Sequence, residues 1–137
     1  SVVERLVANE KVEGSTPFAR SKFMTDLLNK KCIPCEGGVI PFDISEIHKY
    51  QKKVDGWEII KNEKNIYFLE KNFLFKDFVE SQKFVIEIGK ISEEEGHHPD
   101  ISFGWGYAKI NITTHAIQGL SENDFILAAK IDKKINV

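Results

Sequence analysis

Between Asp77 and Glu95 apolar residues return at helical spacing, with Phe78, Val85 and Ile88 on one track and Phe84, Ile88 and Ile91 on its neighbour. The pattern predicts a long central helix. Gly96 suits the left-handed residue that ends a helix, and Pro99 prevents continuation shortly after it. Stretches rich in β-formers lie on both sides. Residues 57–60 and 66–69 flank a polar turn and predict a hairpin whose second strand runs toward Phe73. Residues 101–103 and 107–113 predict a second pair, in which Tyr107, Lys109, Asn111 and Thr113 alternate with Ala108, Ile110 and Ile112. One face of that strand is wet and the other dry.

Two further helices complete the plan. Asp43 or Ser45 can cap a helix carrying Ile44, Ile47, Tyr50 and Val54 on one face and ending at Gly56. Ser121-Glu122-Asn123-Asp124 is a capping-box-like start for a last helix with Phe125, Ile126, Ala128, Ala129 and Ile131. The order is α-β-β-α-β-β-α without repeats. It predicts an α+β domain, an antiparallel four-stranded sheet with helices packed on one face.

With 137 residues, 42% apolar and 29% charged, the chain suits one folded domain and is far from disorder. A formal charge of −2 argues against nucleic-acid binding, which normally draws on a basic excess. No stretch approaches the roughly 18 apolar residues that span a membrane. Cys32 and Cys35, the only cysteines, form one CxxC without a signal peptide before it, which points to a reducing, cytoplasmic compartment, or an organelle in a eukaryote.

The first segment differs from the body. Arg5 and Arg20 are the only arginines, and Gly14 to Pro17 form a break with no sustained period after it. Residues 1–21 resemble the read-through translation of a transfer-RNA gene, so they are expected to be an atypical extension, with a native start near Met24 and the functional domain in residues 22–137.

Chemistry concentrates where three of the four histidines fall within nineteen residues, His97, His98 and His115. Imidazole titrates near neutrality, so histidines converging on one site suit proton transfer in both directions. His97 and His98 sit where a helix turns into a strand, and His115 just beyond the next strand, which makes convergence plausible. Each residue also has a plainer explanation. Histidines near a helix C-terminus interact favourably with its dipole, Asp124 at the third position of a helix is a cap, Glu93 is a solvated helix end and Trp105 is core or rim. A metal site built from His97, His98, His115 and Glu93 is disfavoured, since adjacent histidines project in different directions. Cys32-Ile33-Pro34-Cys35 lacks a second CxxC to complete a zinc site and, with Gly37-Gly38 following, does not open a helix as a redox pair would. It reads as a structural loop.

The joint pattern changes the weighting. Glu93-x3-His97-His98-Pro99, followed by Trp105, His115 and Asp124 after intervals of five, nine and eight residues, resembles the signature of the pterin-4a-carbinolamine dehydratases. Cys32-x-x-Cys35-Glu36-Gly37-Gly38, Gly56-Trp57, Phe75-Lys76-Asp77-Phe78, Thr114-His115 and Gly119 to Asp124 are similar to the same family, in its bacterial and plastid-type branch. The resemblance implies a homodimer or homotetramer that dehydrates a 4a-hydroxytetrahydropterin to the quinonoid dihydropterin, recycling a tetrahydrobiopterin-type cofactor. The pterin is then substrate, and no metal or redox cofactor is expected. His97 and His115 match the acid/base histidines, His98 the substrate-positioning histidine and Asp124 the acidic site residue. Glu93 and Thr114 are candidates for holding the pterin ring, and Pro99 and Trp105 for shaping or lining the pocket. The same scaffold also implies an alternative, a non-enzymatic dimerisation or assembly cofactor.

Overall fold

The computed structural model describes residues 26–34 and 39–135. The expected boundary between residues 21 and 22 lies outside the described residues, as does Cys35. After a helical turn at residues 26–28 come helix α1 (Ile44–Gln51), strands β1 (Glu58–Lys61) and β2 (Tyr67–Leu74), helix α2 (Phe78–Glu95), strands β3 (Asp100–Gly104) and β4 (Tyr107–Ile112), a 3-10 turn (His115–Ile117) and helix α3 (Glu122–Ile135). This is the α+β order expected from the sequence.

Local signals account for most of the boundaries. The Asp43 carboxylate accepts from the Glu46 N–H at 2.9 Å to start α1, and Asp77 does the same for α2 through Glu80. In the β1–β2 turn the Asn62 side chain accepts from the N–H groups of Lys64 and Ile66, and Asn65 takes the left-handed conformation, φ 64°. One boundary differs. The first helix stops at Gln51, not Gly56, because the Lys53 and Val54 N–H groups fold back on Tyr50 and Gln51 and the Gln51 side chain caps the Trp57 carbonyl. Val54 is still buried, carried inward by the turn.

The central helix buries Ser81, Phe84, Ile88 and Ser92, a stripe of three- and four-residue steps. The two serines need no outside partner. Each hydroxyl donates to the carbonyl four residues earlier, on Asp77 and Ile88. Phe78, expected on the inner track, is 43% exposed and meets Phe103 of β3 near its outer end, ring centroids 5.6 Å apart.

All strand pairs are antiparallel and the order is β1-β2-β4-β3. Helix α2 carries the chain from β2 to the far edge, and β4 returns between them. The dry face of β4 (Ala108, Ile110, Ile112) joins Leu69 and Phe73 of β2 beneath α2 and α3 in one core. The register pairs Asp100 with Asn111 and Gly104 with Tyr107. Residues just before β3 and just after β4 therefore emerge at the same end of the sheet. His97, His98, Thr114 and His115 are such residues.

One polar knot crosses this core. Asp132 of α3 accepts from Lys71 Nζ of β2 at 2.8 Å and from the indole N–H of Trp57 at 3.0 Å, while Lys71 also donates to the Asp55 carbonyl. Burial raises the Asp132 carboxyl above its ordinary value against the opposing pull of Lys71 and Trp57. Removing one partner of such a pair costs about 3–5 kcal/mol. Lys71→Met should therefore lose stability of that order in urea unfolding at neutral pH, and the loss should shrink in acid, where Asp132 takes up a proton.

Candidate active site

The Asp124 side chain is fully buried, and three donors from three parts of the chain surround it. His97 Nε2 lies 2.7 Å from Oδ1, and the Thr114 hydroxyl and the Ser121 N–H each donate to Oδ2 at 2.8 Å. The Ser121 contact is the backbone half of a capping box, so Asp124 caps α3 and orients His97 at once. The two explanations of Asp124 left open by the sequence coexist. A carboxylate accepts and an imidazole N–H donates, so the contact fits a proton on Nε2 facing Oδ1. An acid held this way fixes the orientation of the imidazole.

Gly96 makes this placement possible. Its left-handed φ of 62° reverses the chain, so that the His97 N–H returns to the Ser92 carbonyl and the ring turns inward. The next ring turns outward. His98 Nε2 meets Glu93 Oε1 at 2.8 Å, with both side chains largely exposed.

His115 sits at the start of the 3-10 turn, in a loop whose ends are tied by an antiparallel bridge between Thr114 and Gly119. Gln118 turns the chain with φ 55°. Gly119 passes so close to Pro41 that an added Cβ would lie 2.6 Å from the proline Cβ, a contact only glycine avoids.

His97, His98 and His115 line one cavity of about 330 Å³ with Thr113, Thr114 and Asn123. Its volume lies in the range of small-molecule sites. Pro99 and Glu93 are not part of this lining, and Glu93 meets it through His98. Trp105, expected to line or support the pocket, is not part of this lining. It occupies the turn between β3 and β4, 72% exposed, and the antiparallel hairpin puts that turn at the opposite end of the sheet from the histidines. Among the described residues no group of three or more His, Cys, Asp or Glu side chains is arranged to hold a metal ion.

Sequence reasoning missed one wall. Cys32, Ile33 and Pro34 close the cavity on a further side, held by contacts some 60 to 90 positions away in sequence. The Cys32 N–H donates to Glu95 Oε1 at 2.9 Å, and Glu95 Oε2 meets Lys130 Nζ at 2.6 Å. Burial first, then the neighbouring Glu95, pushes the Cys32 thiol up to about 12. A thiol with that value is almost wholly protonated at neutral pH and a poor nucleophile, which agrees with the structural reading of the loop.

A buried acid beside an imidazole, with a second histidine in the same small cavity, is an arrangement that proton transfer can use. The family model described as pterin 4 alpha carbinolamine dehydratase matches residues 41–134. A provisionally named pterin-4-alpha-carbinolamine dehydratase of Rubrobacter xylanophilus is 43% identical over 110 residues, covering 80% of this chain and 99% of the relative. One of Rickettsia canadensis, provisionally named in the same way, is 47% identical over 113 residues, covering 82% and 100%. A crystal structure described as a transcriptional coactivator/pterin dehydratase from Brucella melitensis superposes with a TM-score of 0.61 at 25% identity, covering 68% of this chain and 96% of that one. The chain belongs to the pterin-4-alpha-carbinolamine dehydratase family.

Two measurements follow from the Cys32 wall. Burial alone would raise the Glu95 carboxyl, but hydrogen bonds from Lys130 and the Cys32 N–H outweigh it and hold the group below its usual range. Its contribution to stability is therefore complete above the unfolded value of about 4.3 and is lost as pH falls through the lower folded value. Urea midpoints of wild type and Glu95→Gln should differ at pH 7 and converge in strong acid. In a Cys35→Ser background, Cys32 should react with iodoacetamide at pH 8 orders of magnitude more slowly than free cysteine, whose pKa is about 8.5.

Proposed function

We propose that this protein catalyses the dehydration of a 4a-hydroxytetrahydropterin to the quinonoid dihydropterin and water. The family supports the substrate class. The observation that carries the chemistry is the meeting of His97, oriented by Asp124, with His115 in one cavity. Breaking the C4a–O bond requires a proton delivered to the departing hydroxyl, while the proton on the adjacent ring nitrogen is removed and its electron pair forms the C=N bond, so one acid and one base suffice and there is no net oxidation or reduction. His97 and His115 take these two parts. His98, backed by Glu93, positions the substrate at the rim. Thr114 holds Asp124 in place, and through it His97.

The pterin is substrate, and the reaction needs neither metal nor redox cofactor. In the cell it would recycle a tetrahydrobiopterin-type cofactor in the cytoplasm, with the protein working as a homodimer or homotetramer. Among the described residues no helix is long and apolar enough to cross a membrane.

The test is the dehydration rate of 4a-hydroxytetrahydropterin generated in situ and followed by absorbance, using chelator-washed protein. Wild type should accelerate it, and His97→Ala and His115→Ala should each lose about 10²–10⁴-fold; His115→Ala should keep its unfolding midpoint near wild type, while His97→Ala, which leaves Asp124 Oδ1 without its partner, should also unfold at lower urea. No acceleration by folded, chelator-washed wild type would reject this activity.

A further inference from the structure

We propose that Ile33 and Pro34 form the apolar wall on which the flat face of the substrate rests, and that Asn123 is the positioning residue that holds this wall. The inference builds on the pterin reading. A fused heteroaromatic ring carries its polar atoms on its edges and presents apolar faces, so a site that grips it needs an apolar surface as well as edge partners. The histidines and threonines supply the edge partners. Among the described residues, Ile33 and Pro34 are the only large aliphatic side chains in the lining.

Ile33 is unusual for an isoleucine, with 72% of its surface exposed, yet its backbone is firmly held. The Asn123 amide oxygen accepts from the Ile33 N–H at 2.9 Å, and the same amide donates to the Ile33 carbonyl. That pair reproduces with a side chain what a neighbouring strand would offer. The Cys32 Sγ donates to the Asn123 carbonyl at 3.5 Å, and the Cys32 N–H is bonded to Glu95, so adjacent residues are tied to α3 and α2. Fixing a segment this closely while leaving its apolar side chain in solvent gains little for the core. It pre-pays the ordering of a surface that becomes covered only when something lies in the cavity.

Ile33→Ala should raise KM for the 4a-hydroxytetrahydropterin and the Kd for biopterin, read by fluorescence quenching, each roughly three- to tenfold, with kcat within about twofold of wild type, the signature of lost uniform binding. Because Ile33 is exposed, this truncation does not threaten the fold. Ile33→Val should retain most of the affinity. Asn123→Ala should raise KM and Kd at least as much, and Ile33→Ala added to it should bring little more, since Asn123 acts through the wall. Unchanged KM and Kd in Ile33→Ala, with wild type active, would overturn the wall, and fully additive penalties would overturn the positioning role of Asn123. Wild type that binds biopterin without turnover would reject the dehydratase reading while the Kd values still decide the wall. Wild type that neither binds nor turns over would reject both.

Discussion

The candidate site depends on a carboxylate that has no access to water. Burying Asp124 would be costly were its oxygens not met by an imidazole, a hydroxyl and a backbone N–H. Those donors come from the end of α2, the end of β4 and the start of α3, so a single acid ties three segments whose mutual placement is the site. The placement of His97 is thus set by the packed core. Catalytic groups carried on rigid, fully satisfied supports hold their orientation without being reordered at each turnover.

The same economy governs the two neighbouring histidines. One chain reversal at Gly96 sends adjacent rings to opposite environments, His97 toward a buried acid and His98 toward an exposed one. Identical side chains thereby acquire different electrostatic surroundings within a single step of backbone. The Asp132 knot, by contrast, has no residue in the cavity lining and fixes α3 against β2.

Much of this was legible in the sequence because it is written locally. Helical spacing between Asp77 and Glu95, the Gly96 stop, the alternation from Tyr107 to Thr113 and the Ser121 to Asp124 start give the element order, and antiparallel pairing then brings His97 and His115 to one end of the sheet. The resemblance of the motif to a known family added the chemistry. What stayed hidden is non-local. Nothing near Cys32-Ile33-Pro34 announces that Asn123 and Glu95 will hold it, because those bonds join residues 63 to 90 positions apart. Trp105 was misplaced for the opposite reason. Its spacing within the motif suggested the pocket, but spacing along a hairpin does not say which end a residue occupies, and the Gly104–Tyr107 register puts it at the far one. The early end of α1 likewise depends on a side-chain bond from Gln51 to the Trp57 carbonyl that no periodicity reveals.

The strand order has a consequence for how the molecule comes into being. As a ribosome delivers the chain, β1, β2, α2 and β3 all appear before β4, yet β4 is the strand that joins β2 to β3. Until it emerges the sheet exists as an isolated hairpin and a detached edge strand, with the apolar stripe of α2 waiting for its floor. Long-range pairing of this kind is slow to form because the chain must close a large loop before any contact rewards it. Insertion of one strand therefore completes the sheet and brings the loop bearing His115 up to the end of α2 that bears His97, and α3, delivered last, closes the core and adds Asp124.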